Sequence, residues 1–295
     1  MNWIEIGLYL TSILIWGSTW LVIKFQLGVV HPAVSVGYRF LVAGLLLLLY
    51  CVIKGHKLKY PARVHRLIAL QALFLFCINY LCLYIAEMTL SSGVVAVLFS
   101  LLTISNGIGA RFIFKEKLSP RFWIGTIVGT SGILFVFSGE LKGFELTPVQ
   151  VTSFFLAIVG TLSASAGNLV SKKIFQGDVH VIPASAIGMT YGALYTLIGC
   201  AAFGLPFEFE WNTRYLSSLS YLAVFGSIIA FVSYLTLLKR VGAGKAGYMS
   251  IVTPIVALIL SFIFEGFQAT PLVISGILLT LIGNALVMLR SKSRR

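Results

Sequence analysis

Long apolar runs recur along the whole chain, separated by short polar breaks. A helix needs about 20 residues to cross a hydrocarbon core roughly 30 Å thick. The pattern predicts ten such helices: Ile6–Lys24, Ala33–Ile53, Leu67–Ala86, Ser92–Phe114, Phe122–Ser138, Val149–Ser171, Ile182–Gly204, Leu216–Leu238, Ala246–Phe264 and Leu272–Leu289. The runs are continuously apolar instead of alternating, so they read as helices and not as barrel strands. The expected fold class is an all-α membrane protein of ten transmembrane helices.

Composition sharpens this reading. The 295 residues are 58% hydrophobic and 11% charged, against roughly 45–50% and about 25% for soluble domains. Too little polar surface exists to cover a soluble body of this size, which excludes soluble enzymes, disordered chains and secreted disulfide scaffolds. Cys51, Cys77, Cys82 and Cys200 all fall inside apolar runs and read as small buried hydrophobes, not as a disulfide framework or metal site. No phosphate loop is present, so no nucleotide or other cofactor is expected. Glu5 and an apolar run that continues through Trp16 and Trp20 argue against a cleavable signal peptide.

The net charge of +13 follows topology rather than a nucleic-acid surface. One set of connections carries Lys54, Lys57, Lys59, Arg63 and Arg66, then Arg111, Lys115, Lys117 and Arg121, then Lys172 and Lys173, then Lys239, Arg240 and Lys245. The tail adds Arg290, Lys292, Arg294 and Arg295. Of the 22 basic residues only Lys24, Arg39, Lys142 and Arg214 fall elsewhere. The alternate connections are acidic, with Glu87, Glu140, Glu145, Glu208, Glu210 and Glu265. The positive-inside rule then places both termini and the Lys54–Arg66 loop in the cytoplasm, and Glu140–Pro148 outside. The expected location is the inner (plasma) membrane of a bacterium. The expected partners are the lipid bilayer and a small-molecule substrate, with no nucleic acid.

The two halves repeat. Pro32 and Pro183, Gly37 and Gly188, Gly93 and Gly244, Pro120 and Pro271, Gly125 and Gly276, and Gly132 and Gly283 share one offset. Leu21-Val22-Ile23-Lys24 matches Leu169-Val170-Ser171-Lys172 at a slightly shorter one. Residues 1–143 and 149–295 are therefore expected to be two five-helix units. An odd helix number inverts the second unit in the membrane, the arrangement used for alternating access.

Several of these residues resemble a known family. Trp16-Gly17-Ser18-Thr19-Trp20 with Lys24, Pro32 and Tyr38-Arg39-Phe40 looks like the opening of EamA-type proteins of the drug/metabolite transporter superfamily. Ser91-Ser92-Gly93 through Phe99 and Lys115-Glu116-Lys117-Leu118-Ser119 resemble the end of one EamA repeat. Thr253-Pro254, Phe264-Glu265-Gly266 and Pro271 resemble the same stretch in the second repeat. The resemblance implies ten helices, a central cavity between the repeats and transport of small organic metabolites, often outward. It also implies that helices like the fifth and tenth can pair across a homodimer. Two departures stand out: Thr103 occupies a position where many members have proline, and the Glu265-Gly266 order is reversed.

Arg39 is the most informative single residue. It lies roughly 10 Å past Pro32 at 1.5 Å per residue, and a cation at such depth is a functional-site candidate. Three readings stay open: an anchor for a substrate carboxylate, an outer-gate partner for Glu87, or a structural brace. Lys24 and Lys172, at corresponding helix ends, read as snorkelling anchors. Trp16, Trp20, Tyr80, Tyr84, Phe99, Tyr234 and Tyr248 are the candidate aromatic lining of the substrate path, with ordinary packing as the alternative. Asn79 and Asn168 either bond substrate or join helices; Asn106 and Asn284 read as helix–helix contacts. Pro254 is a hinge or a static kink. Gly125, Gly129, Gly132, Gly276 and Gly283 mark close helix packing.

No Asp or Glu falls near a span centre, which favours facilitated diffusion or exchange over proton coupling. Glu87 or Glu265 would restore proton coupling if either lay deeper. The expected function is a secondary transporter of small organic metabolites, amino-acid-like solutes first, exporting by alternating access. The alternatives are an exporter of hydrophobic cations and an intramembrane lipid-modifying enzyme. The enzyme would need a polar catalytic cluster that the sequence does not suggest.

Overall fold

The computed structural model describes residues 2–142, 147–241, 249–267 and 270–288. Every regular element among them is a helix. In chain order these are α1 (Trp3–Lys24), α2 (Pro32–Ile53), α3 (Ala62–Ala86), α4 (Ser92–Phe114), α5 (Pro120–Lys142), α6 (Pro148–Phe175), α7 (Val181–Ala202), α8 (Thr213–Val241), α9 (Met249–Phe264) and α10 (Pro271–Met288). Seven of them, α1–α4 and α6–α8, are long and apolar enough to cross a membrane; α5, α9 and α10 contain shorter apolar stretches. Large apolar side chains such as Leu14, Leu49, Ile127, Phe155, Ile198 and Phe262 face outward, as expected where the surrounding solvent is lipid.

Local chemistry fixes the helix starts. Asn2 and Glu5 form a reciprocal capping box on α1, satisfying two otherwise orphaned backbone donors. Ser91, Thr147 and Asn212 accept from the backbone two or three residues into α4, α6 and α8. Pro32 and Pro148 occupy first-turn positions, where a missing N–H costs nothing. The α3 and α8 helices begin before their apolar runs, because Arg63, Arg66 and Arg214 sit on amphipathic first turns.

One irregularity recurs in both halves, and a second does not. The third helix of each half, α3 and α8, contains a π-helical stretch, Leu73–Ile78 and Leu222–Ile229. Such stretches release carbonyls from the regular ladder. Phe74 O accepts from Ser163 Oγ of α6 at 2.7 Å, and Gly226 O accepts from Trp16 Nε1 of α1 at 3.2 Å. The fourth helix α4 breaks at Ser100–Leu101 without a proline, whereas its counterpart α9 runs through Pro254.

Packing is reciprocal between the halves. The α1 helix lies on α8 and α9, and α6 lies on α3 and α4. The α2 helix pairs with α7, and α5 with α10. The α5–α10 contact is backbone to backbone: a Cβ on Gly283 would lie 2.2 Å from Gly129 N, and one on Gly132 would lie 2.5 Å from Gly276 O. These glycine faces are thus used within the chain. Gly283→Ala is expected to destabilise the protein by about 3 kcal/mol, the upper end for overpacking, because neither backbone can yield. Gly7→Ala, with nothing within 4 Å of its new Cβ, is the control. Thermal unfolding in detergent reads both.

Candidate functional site

A cavity of about 690 Å³ lies between the halves. Stripes at helical spacing build its wall: Trp16, Thr19, Trp20 and Ile23 on α1; Thr103, Asn106, Gly107 and Ala110 on α4; Phe231, Tyr234 and Leu238 on α8. Asn79, Tyr80 and Leu83 of α3, Asn168 of α6 and Pro254 of α9 complete it. Aromatic rings on the wall form two groups. Trp16 meets Phe231 and Tyr234 with centroids 5.1 Å apart in each pair, and Trp20 meets Phe99 at 5.3 Å.

Four wall residues carry a buried polar atom with no partner among the described residues: Trp20 Nε1, Asn79 Oδ1, Asn106 Oδ1 and Thr253 Oγ1. Buried polar groups are ordinarily satisfied, and these four are not satisfied in this state. Asn284, by contrast, donates to Ser100 Oγ at 2.9 Å and joins α10 to α4.

The two ends of the cavity differ. At one end the wall reaches Glu116, Lys117 and Lys172, with Glu116 and Lys117 exposed at the rim. Lys172 pairs with Glu116 there and lies 4.5 Å from the Phe114 ring centroid. At the other end the lining stops at Ile23 and Leu83, and a polar cluster lies behind it. Lys24 Nζ donates to the carbonyls of Glu87 and Leu90 at 2.5 and 2.6 Å and lies 3.8 Å from Glu265 Oε1. Glu265 also accepts from the Ser92 hydroxyl and, at 3.2 Å, from Ser92 N. Lys24 thus bonds a carbonyl at the end of α3 and one in the connection that follows, and it faces a carboxylate of the other half.

The pairs mirror each other. Lys24 and Lys172 end the first helix of each half, and Glu265 and Glu116 follow the fourth. Each lysine reaches the glutamate of the other half.

The family model match covers residues 3–138 and 151–289 and is described as the EamA-like transporter family. The chain belongs to this family. An uncharacterized inner membrane transporter of Escherichia coli (strain K12), YedA, is 30% identical over 84% of this chain and 78% of its own length. The uncharacterized transporter YvbV of Bacillus subtilis (strain 168) is 23% identical over 96% and 91%. Protein PagO of Salmonella typhimurium (strain LT2) is 23% identical over 95% and 93%. A protein of known crystal structure shares the fold with a TM-score of 0.70 at 19% identity, covering 96% of this chain and 95% of that one. The protein is an integral, multi-pass membrane protein of a transporter family.

Within this EamA-like chain, Trp16, Trp20, Asn79, Tyr80, Phe99, Asn168, Tyr234 and Pro254 all reach the cavity wall. Tyr248 lies outside the described residues. Arg39, Tyr84 and Glu87 lie off the wall, fully buried. Arg39 Nε donates to Ser227 Oγ at 3.0 Å, inside the π-helical stretch of α8, and Nη1 donates to Tyr84 OH at 3.2 Å. Tyr84 donates to Gln26 Oε1 at 2.9 Å. The guanidinium also stands 4.7 Å from the Tyr80 ring centroid, a cation–π contact. Arg39 thus ties α2 to α3 and α8. Sequence reasoning passed over Phe231, Thr253 and Phe122 as wall residues; the spacing of Phe231 to Tyr234 on α8 was the available signal.

Proposed function

We propose that this EamA-like protein is a secondary transporter that exports small organic metabolites, amino-acid-like solutes first, by alternating access. The observation that carries the reading is the central cavity, open at the Glu116–Lys172 end and backed by the Lys24 cluster at the other. Its volume falls within the roughly 300–1,000 Å³ of small-molecule sites. The unpaired indole donor of Trp20, the amide acceptors of Asn79 and Asn106 and the Thr253 hydroxyl suit a solute with both donors and acceptors beside an apolar side chain.

The mirrored π stretches, the mirrored Lys–Glu pairs and the sequence offset between halves support an inverted repeat of ten membrane helices. The loop charges support a cytoplasmic position for the Glu116–Lys172 end. On that orientation this state faces inward, with the Lys24–Glu265 cluster as the outer seal. Pro254, on the cavity wall within α9, is the proposed hinge, and Glu87 a member of the outer gate.

A hydrophobic cation is the second reading, favoured by the ring wall of Trp16, Trp20, Phe99, Phe231 and Tyr234. Counterflow in proteoliposomes against a panel of amino acids, their amides and hydrophobic cations tests both. Exchange of neutral amino acids that persists with a protonophore present is the expected result. Exchange confined to hydrophobic cations would replace the first reading with the second.

A further inference from the structure

The connection after α3 buries a carboxylate that no donor among the described residues reaches. Glu87 is fully buried, and among the described residues neither of its carboxylate oxygens has a hydrogen-bond partner. The nearby cations are committed elsewhere. Lys24 Nζ bonds the Glu87 and Leu90 carbonyls and faces Glu265. Arg39 bonds Ser227 and Tyr84, and among the described residues its Nη2 does not bond Glu87 either. Glu265 has Ser92 as a donor; Glu87 has none among the described residues.

An ionised carboxylate held away from water without a hydrogen bond costs several kcal/mol. A neutral carboxyl in the same place costs far less. Burial pushes the Glu87 carboxyl well above the usual carboxylate range, Lys24 pulls it down, Glu265 pushes it up and Arg39 pulls it down. Burial outweighs the rest because neither cation reaches the carboxylate with a hydrogen bond.

We propose that Glu87 is a proton-binding site that controls the mouth sealed by Lys24 and Glu265. This rests on the alternating-access reading above. Glu87 holds its proton while the mouth is closed. When the mouth opens and water enters, the O–H bond breaks, the proton passes to water as hydronium, and the carboxylate stays hydrated. Closing reverses the step. Glu87 does not line the cavity, so the proton returns to the side it came from and none is carried across. The sign follows: the closed state has the higher pKa, so acid outside favours closure and alkali favours opening. The window runs from the ordinary value of 4.5 up to the raised closed-state value. The charged and titratable groups facing Glu87 are Lys24 of α1, Arg39 of α2, Tyr84 of α3 and Glu265 beyond α9.

Infrared pH titration of the purified protein tests the site directly. A carbonyl-stretch band of a protonated carboxylic acid should be present at neutral pH, lost in Glu87→Gln and kept in Glu265→Gln. If Glu87→Gln does not fold, Glu87→Asp assigns the band by shifting it. Thiol labelling tests the gate, in a chain lacking the native cysteines and in right-side-out vesicles. Labelling of Leu90→Cys, normalised to the exposed Met88→Cys, should rise about tenfold per pK unit separating the two states as external pH rises. It should stay flat when Glu87→Gln is added. Absence of a band that depends on Glu87 overturns the site; a band with pH-independent labelling overturns its control of the mouth. If the orientation is wrong instead, the band persists and Leu90→Cys is labelled only from inside.

Discussion

Arg39→Ala is expected to lower the stability of the detergent-solubilised protein by roughly 3 kcal/mol or more. The guanidinium makes two hydrogen bonds to otherwise buried hydroxyls, each worth about 1.5–3 kcal/mol when one partner is charged. Removal also leaves Ser227 and Tyr84 with a void where the Arg39 side chain stood. Arg39→Lys should recover only part of the loss, since an ammonium cannot replace the planar fork that reaches Ser227 and Tyr84 together. Relative preference between acid and amide solutes should not change, because Arg39 stands off the cavity wall in this state. A stable Arg39→Ala that loses preference for the carboxylate would instead make Arg39 the substrate anchor that the sequence also allows.

The two Lys–Glu pairs should respond unequally to the same substitution. Side chains of Lys24 and Glu265 are 23% and 15% exposed; those of Lys172 and Glu116 are 27% and 51% exposed. Lys24→Met also strands the Glu87 and Leu90 carbonyls and leaves Glu265 beside Glu87. Breaking a largely buried pair on one side costs about 3–5 kcal/mol, whereas exposed pairs are worth about 0–1 kcal/mol. Thermal unfolding should therefore show a large loss for Lys24→Met and a small one for Lys172→Met. Equal losses would mean that the Lys24 cluster is no more of a seal than the open rim.

Much of the fold was legible because span length and loop charge are one-dimensional properties. The predicted Ser92–Phe114 is α4 to the residue, and Ala33–Ile53 misses α2 by one. The predicted Leu67 start of α3 falls five residues late, since hydropathy cannot see a helix that continues into water through Arg63 and Arg66. The π stretches left no trace, because Leu73–Ile78 and Leu222–Ile229 read as ordinary apolar helix and hydropathy does not distinguish one hydrogen-bond spacing from another.

The candidate site was legible where a helix stripe faces inward, as in Trp16-x-x-Thr19-Trp20-x-x-Ile23. It was not legible where depth depends on what covers a connection. Glu87 sits in a short link that reads as a solvated outer loop, yet it is fully buried near Lys24 of α1, Arg39 of α2 and Glu265 after α9. Arg39 was recognisable as a deep cation, but its direction depends on Ser227, which lies nearly two hundred positions away in the chain. Periodicity gives position along a helix and says nothing of such partners.

On the proposed orientation one cavity opens to the cytoplasm while the Lys24–Glu87–Glu265 end is shut. Thr103 lies on the wall of that cavity. With Thr103→Cys in a chain lacking the native cysteines, a membrane-impermeant thiol reagent should label inside-out vesicles and spare right-side-out ones. Labelling from the outside alone would contradict both the orientation and the position of the seal.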